Sequence, residues 1–568
     1  MARRRFLVTA ALPYSNGRLH VGHIAGAYLP ADIYVRYLRQ RGDDVRFICG
    51  SDDNGVAISI TAAREKSTPQ AVCTYYNKRQ KADFDGLGIV FDIYGGTHQP
   101  DCVELHNRIS QGFFLEIHKK GYFTKKRTKQ LYDAEAGKFL PDRYVQGTCP
   151  YPDCRNPAAY GDQCEKCGRS MDPMTLIDPK STITGTTPAV RETTHWYLRL
   201  GDFEKRLETW LESKRSPAGD EPPWREATLN FALGQIKTSL PERAMTRDLD
   251  WGIPVPLPDD PDAAGKVLYV WFDAPIGYVS FTARHCELND GDWRAYEHWW
   301  KSDDCRIIHF IGEDNTVFHT LTWPAMLMAE GTFQLPSTVV VNKFMNERGP
   351  DGEPLKLSKS RMGEDSPLWL EEFLKRYEPD PLRYYLTAIA PENQQAAFDM
   401  GEFISRNNEE LLAVLGNFIN RTLTFAVRYF DGRVPDAVAP DAVDAAQLAR
   451  IDEAFAKMTA ELEGFHFKAA LGELMALARA GNVYFDSKKP WSQRKDDIAA
   501  CGTTIHVCLQ TIRALVTLMA PFLPHSAAKA AAMLNAGPDV LRWDRAAAVL
   551  PAGHVLGTPA ILFRKIEK

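Results

Sequence analysis

Apolar positions along the 568-residue chain follow two rhythms, and the change between them divides it. Near the start, the unbroken apolar run FLVTAA at residues 6–11 predicts a strand buried on both faces. A turn-rich stretch with Pro13, Asn16 and Gly17 follows, then a predicted helix over residues 22–41. Pro30 lies inside that helix, removes one backbone hydrogen bond and is expected to kink it. Residues 44–49 form the next predicted strand and end on GSDDNG. Strand, helix and strand at this spacing make a parallel βαβ unit, whose ligands sit beyond the carboxyl ends of the strands.

Past residue 118 the segments shorten. Buried-strand character is expected to resume at residues 266–272 (KVLYVWF) and 305–311 (CRIIHFI), so the block between is an insertion into one nucleotide-binding domain. A further strand begins at residues 338–341, and the turn RGPDGEP leads into KLSKS. From residue 401 the rhythm is helical: Leu411, Leu412, Leu415, Phe418 and Ile419 share one stripe, and Phe455, Met458, Leu462 and Phe465 another. Residues 216–224 (SPAGDEPPW) read as a loop and the Pro/Ala/Asp-rich residues 434–446 as a linker. The length passes the roughly 250–300 residues at which one core stops growing, so several domains are expected.

Composition narrows the class without fixing the function. With 44% apolar and 25% charged residues the chain reads as a soluble globular protein. A net charge of −5 excludes a global field for polyanions but leaves room for local patches. Lys125, Lys126, Arg127 and Lys129 form one basic cluster, read as a solvated face; Lys488, Lys489, Arg494 and Lys495 form another. The basic start MARRR precedes an apolar stretch interrupted by Pro13 and Asn16, too short for a signal peptide, and residues 514–523 reach only about half a bilayer. Of eleven cysteines, four lie between Cys149 and Cys167 and seven are scattered, which points to reduced thiols and a cytoplasmic setting.

Three groups carry candidate chemistry. His20 and His23 of LHVGH face the same side at a helix start, where free N–H groups and the helix dipole favour anions, and Gly22 between them admits a base or sugar. Lys356 and Lys359 of KLSKS sit on a loop able to bring positive charge to a triphosphate. Cys149, Cys154, Cys164 and Cys167 read C-x4-C, nine residues, C-x2-C, a spacing that fits one tetrahedral structural zinc with no open position.

LPYSNGRLHVGH and KLSKS resemble the two signature motifs of class I aminoacyl-tRNA synthetases. Within that class the chain is most similar to the methionyl-tRNA synthetase family, on ALPYSNG, VWFDAPIGY at residues 270–278, TRDLDWGIPVP at residues 246–256 and the cysteine knuckle. The resemblance implies an α/β fold: a Rossmann-type doubly wound parallel catalytic domain with a zinc-knuckle connective insertion, followed by an α-helical bundle. Its expected parts are residues 1–118 and 267–337 (catalytic halves), 119–266 (insertion), 338–400 (stem-contact region carrying KLSKS) and 401–568 (anticodon-binding domain).

The resemblance further implies ATP-dependent activation of L-methionine and its transfer to the 3′ end of tRNA(Met), serving initiation and elongation. His20, His23, Lys356 and Lys359 would be catalytic, with Gly22 and Ser358 also binding ATP. Leu12, Asp52, Trp271, Ala274, Pro275, Tyr278 and His319 would form the methionine pocket, with Arg247 and Asp314 organising it. One carboxylate for the ammonium and aromatic walls for a thioether suit that ligand. Asn417, Arg421 and Trp491 would read the anticodon, Trp491 stacking on an unpaired base while neighbouring cations meet phosphate. One structural Zn2+ and Mg2+ with ATP are the expected ions, and a monomer without membrane contact the expected state.

Two positions leave the family pattern: Glu313 stands where some relatives carry lysine, and Asn315 where some carry isoleucine. Val21 and Leu357 replace isoleucine and methionine in the signatures. Three rivals remain at this stage: another class I synthetase, a small-substrate adenylyltransferase with an HxGH motif, and a zinc-containing RNA-binding protein without activity. Valine, isoleucine and leucine enzymes carry a far larger editing insert, and a cysteine enzyme needs zinc ligands in the catalytic core.

Overall fold

A computed structural model of the chain describes residues 4–161, 164, 166, 167, 169, 171–349, 351–357, 362, 363 and 365–567. Ser358 and Lys359 of the KLSKS motif lie outside the described residues.

Five strands make the central sheet: β1 (Arg5–Ala10), β2 (Asp44–Ser51), β3 (Ile93–Gly96), β4 (Cys305–Gly312) and β5 (Thr338–Asn342). They run parallel in the order β5-β4-β1-β2-β3. Alternate residues of β1 serve opposite cores: Phe6 and Val8 pack towards the first helix and the C-terminal helices, Leu7 towards the Val103–Lys119 and Val270–Asp290 helices. Because β2 and β4 flank β1 on opposite sides, the order reverses beside β1, and the crevice at its carboxyl end is the ligand position of a doubly wound sheet.

The first helix meets its proline by widening. Val21–His23 is α-helical, Ile24–Tyr28 is a π turn, and Leu29–Gln40 resumes the α form with Pro30 in its first turn. The Gly26 carbonyl, which a residue with an N–H at position 30 would have used, instead accepts from Asn342 Nδ2 at 3.0 Å. The predicted kink is thus a bulge tied to β5.

Two predicted elements are corrected. The strand expected at residues 266–272 is only Val267–Leu268, and a helix begins at Val270 and runs to Asp290. That helix is buried nearly all round from Phe272 to Ala283, so it carries no polar stripe, and an apolar run without a stripe reads equally as strand. The linker expected through residue 446 ends sooner, because Asp441 caps a helix at Ala442–Glu463 by accepting from the Val443 and Asp444 N–H groups.

The inserted block contains an antiparallel sheet in which Phe123–Asp133 pairs with Ala189–Leu198. Three of its basic residues are neutralised on the surface, Lys125 by Asp260 and Asp262, Lys126 by Glu242 and Arg127 by Glu192. After β5, a three-stranded sheet (Met345–Arg348, Pro354–Lys356, Ala396–Phe398) and the Pro379–Ala388 helix connect to the C-terminal helices. Fully buried Arg383 joins these parts, bonding Asp32 at 2.7 Å and the Phe522 carbonyl at 2.8 Å. Among the described residues one helix, Ile498–Met519, is long and apolar enough to cross a membrane, but 78% of its apolar window is buried inside the protein.

Candidate active site

The loop after β1 is fastened to the end of β2. Ala11 N–H donates to Phe310 O at 3.0 Å, Asp52 N–H to Pro13 O at 2.9 Å and Ser15 N–H to Asp52 O at 3.1 Å. His20 then opens the helix: its N–H donates to His23 Nδ1 at 3.1 Å, and the two rings lie 3.7 Å apart. The backbone of residues 19–21 runs antiparallel to residues 368–370, with Val21 N–H bonding Leu368 O at 3.1 Å and Leu370 N–H bonding Leu19 O at 3.0 Å. Between those bonds the Trp369 ring stands 6.1 Å from His20 and 5.2 Å from the Arg18 guanidinium, while its indole N–H donates to Gly363 O at 2.8 Å.

Of the KLSKS motif, Lys356 and Leu357 are described. A Cβ placed on Gly22 would stand 3.1 Å from Leu357 Cδ1, so the two signatures touch. Lys356 is exposed, with Nζ 5.3 Å from the centre of the Phe344 ring. Burial raises the Asp314 carboxyl above its ordinary range, and the Lys356 charge opposes that rise.

Asp52, 3% exposed, pairs its backbone with that of Tyr14 in an isolated parallel bridge. Burial holds its carboxyl well above the ordinary range, Asp273 and Asp53 add to the shift, and the Asn54 N–H opposes it. Asp53 beside it is fully engaged, accepting from Ser15 and Ser51 hydroxyls, the His98 N–H and Gln99 Nε2. The Asp52 carboxylate accepts from the Asn54 N–H at 3.4 Å. Nearby, Trp271 stacks on Phe318 at 4.0 Å and 15° and meets Tyr14 edge-on at 6.4 Å.

Tyr278 and His319 are 2.9 Å apart, and His319 Nδ1 lies 3.1 Å from the Asn315 carbonyl. That carbonyl can only accept, so Nδ1 carries the proton and Nε2 receives the Tyr278 hydroxyl. Burial lowers the His319 imidazole to about 4, which keeps it neutral. Ala274 and Pro275 are buried in the first turns of the Val270–Asp290 helix, and Leu12 packs where a Cβ on Gly277 would meet it at 2.9 Å. Arg247 has its guanidinium 3.8 Å over the Tyr269 ring and donates to the Ala244 and Thr246 carbonyls.

Sequence reading missed Phe318, Tyr14 and Trp369. Phe318 lies one residue before His319, and Tyr14 lies within ALPYSNG, so both neighbour positions the sequence had already marked. Trp369 had no local signal, since its contacts span residues 18 to 363.

The four clustered cysteines converge: all four Sγ atoms lie within 4.8 Å of one another, and Cys154 and Cys164 are 3.7 Å apart. A tetrahedron with zinc–sulfur bonds of about 2.3 Å has edges of roughly 3.8 Å, so the donor set fits zinc. Asn156 Nδ2 lies 3.6 Å from Cys164 Sγ, and the Cys149 N–H to Asn156 O and Cys164 N–H to Arg169 O bonds hold the two knuckle turns.

In the C-terminal helices, Arg421 bonds Asp486 at 2.8 Å and the Asn482 carbonyl at 2.9 Å, and its guanidinium lies 4.2 Å over Phe485. Phe485 in turn lies 6.1 Å from Trp491, which is 44% exposed, and Asn417 is exposed one turn before Arg421. Lys488, expected among the free cations there, is instead committed to Asp441 and Asp444 at 2.8 Å each.

Residues 6–423 match the family model described as tRNA synthetases class I (M), and residues 434–568 that described as anticodon binding domain of methionyl tRNA ligase. The methionine–tRNA ligase of Porphyromonas gingivalis is 44% identical over 568 residues, covering 99% of this chain and 79% of that one. That of Pyrococcus abyssi is 44% identical over 574 residues, covering 99% and 76%. The fold is similar to that of Mycobacterium tuberculosis methionyl-tRNA synthetase in complex with methionyl-adenylate, with a TM-score of 0.78, 25% identity and 99% of both chains covered.

Proposed function

The chain belongs to the methionyl family of class I tRNA synthetases, and on that footing we propose that it joins L-methionine to tRNA(Met) at the expense of ATP. In the first step a methionine carboxylate oxygen attacks the α-phosphorus of ATP; the bond to the β-phosphate breaks and pyrophosphate leaves with its electron pair. In the second, a hydroxyl of the terminal adenosine attacks the acyl carbon, loses its proton and displaces AMP. No protein nucleophile is required.

The observation that carries this reading is the junction of LHVGH with the segments flanking KLSKS, together with the buried Asp52 carboxyl and the stacked Trp271 and Phe318 rings. His20 and His23 are assigned to the phosphates at the helix N-terminus, with Gly22 giving the nucleoside room. Lys356, and by the motif Lys359 with Ser358, are assigned to the departing pyrophosphate. Asp52 is assigned to the methionine ammonium, and Trp271, Tyr278, His319, Leu12, Ala274 and Pro275 to its side chain. Arg247 and Asp314 are assigned to ordering the site. Mg2+ bound with ATP would offset triphosphate charge. Cys149, Cys154, Cys164 and Cys167 are assigned to one structural zinc, which would hold the fold of the insertion (residues 119–266).

Asn417, Arg421 and Trp491 are assigned to the anticodon, within residues 401–568. All eleven cysteines are free thiols, the state that a reducing cytoplasm maintains, and we place the enzyme there. ATP–pyrophosphate exchange with each of the twenty amino acids tests the reading. Exchange dependent on methionine supports it, dependence on another amino acid moves the substrate within the class, and no exchange at all overturns it.

A further inference from the structure

Glu313 follows directly on β4, at its carboxyl end. Its carboxylate is fully occupied. Oε2 pairs with Lys343 Nζ at 3.1 Å, and Oε1 accepts from the Phe344 N–H at 2.9 Å and from Gln395 Nε2 at 3.4 Å. Two routes lead from these partners to Lys356. The Phe344 ring is the surface over which the Lys356 ammonium sits, at 5.3 Å. Gln395 Oε1 accepts from Asn346 Nδ2 at 3.0 Å, and the Asn346 backbone is the antiparallel partner of Lys356.

From this geometry we propose that Glu313 is a positioning residue for Lys356, fixing the Phe344 seat and the strand opposite the lysine so that its ammonium is held ready for the ATP phosphates. A lysine stem is flexible and loses much rotamer freedom when ordered; a cation–π seat prepares part of that ordering in advance. Lys343 is neutralised by the same carboxylate. The inference rests on the proposed methionine-activating function.

The test uses the full chain in ATP–pyrophosphate exchange, with the Michaelis constants for ATP and methionine measured separately. Glu313→Ala is expected to raise the ATP constant about tenfold, the value of losing hydrogen bonds to a charged group, and to leave that for methionine unchanged. Phe344→Leu is expected to raise the ATP constant about two- to fivefold, the value of a partly exposed cation–π contact, and Phe344→Tyr to retain wild-type behaviour. In a Lys356→Ala background, Glu313→Ala is expected to add nothing to the loss of ATP affinity, followed by calorimetric titration with ATP. Equal losses in both backgrounds, or equal effects on ATP and methionine, overturn the proposal. Should Glu313→Ala fail to fold, the Phe344 pair decides it alone. A wild-type chain without methionine-dependent exchange would sink the functional reading itself, an outcome distinct from failure at Glu313.

Discussion

Leu357 of KLSKS lies against Gly22 of LHVGH, residues separated by most of the nucleotide-binding fold. The space between them falls a few tenths of an ångström short of what a methyl needs: a Cβ at position 22 would meet Leu357 Cδ1, His20 Cε1 and His20 Nδ1, each at 3.1 Å. Gly22→Ala therefore crowds both signature segments at once. Helix propensity returns up to ~1 kcal/mol while overpacking costs ~1–3 kcal/mol. The chain should fold with near-wild-type stability while adenylate formation slows about tenfold, the rate equivalent of ~1.4 kcal/mol. Thermal melting alongside pyrophosphate exchange checks this, and an alanine variant with full activity would contradict it.

Asp52 is a case where function and stability oppose each other. Burial, Asp273 and Asp53 raise its folded carboxyl above the reference value of 3.8. A raised acid favours the folded state below that reference value, and the benefit is lost as pH rises through its folded pKa. Above the reference value the buried carboxyl costs stability, so Asp52→Asn should melt higher than wild type near neutral pH, with the gain vanishing in acid. Methionine affinity should fall about tenfold or more, because a charge-assisted bond to the ammonium is lost. Melting at two pH values and methionine titration together decide it.

His319 sets an opposite pH response. Its imidazole falls from 6.5 to about 4 through burial, so the folded protein resists protonation that the unfolded chain accepts. The stability it contributes is present above pH 6.5 and is lost as pH falls towards 4, on the order of 3 kcal/mol across that window. His319→Gln should flatten this part of the stability profile in denaturant titrations between those pH values. An unchanged slope would remove His319 as its source.

The cysteine centre has a small core of its own, including Leu131, Val145 and Leu176, too few apolar side chains to hold the knuckle unaided. Purified protein should contain about one zinc per chain. Cys154→Ser should lose the metal and expose the knuckle to protease, with the central sheet intact. Elemental analysis and limited proteolysis report the two halves separately; a knuckle equally resistant without metal would refute the structural role.

Trp491 is nearly half exposed, so its removal should cost little stability. Base–aromatic stacking is worth ~1–3 kcal/mol, so Trp491→Ala should reduce tRNA charging about five- to a hundredfold. Methionine-dependent exchange without tRNA should stay at the wild-type rate. Loss of both activities together would place the residue in the helical core instead.

The sequence by itself determined the parallel βαβ start, the strands at β4 and β5, the helical C-terminal region and the residues of both signatures. These are legible because buried strands and short motifs carry their information in neighbouring residues. The Val270–Asp290 helix was misread because burial on all sides erased its polar stripe, and periodicity is the only local sign of a helix there. Only the tertiary structure decided that Trp369 links Arg18, His20 and Gly363, that Lys488 is spent on Asp441 and Asp444, and that Glu313 braces Lys356 through Phe344 and Gln395. A charged or aromatic side chain announces its chemistry in the sequence. Which partner satisfies it depends on distances between segments that only folding brings together.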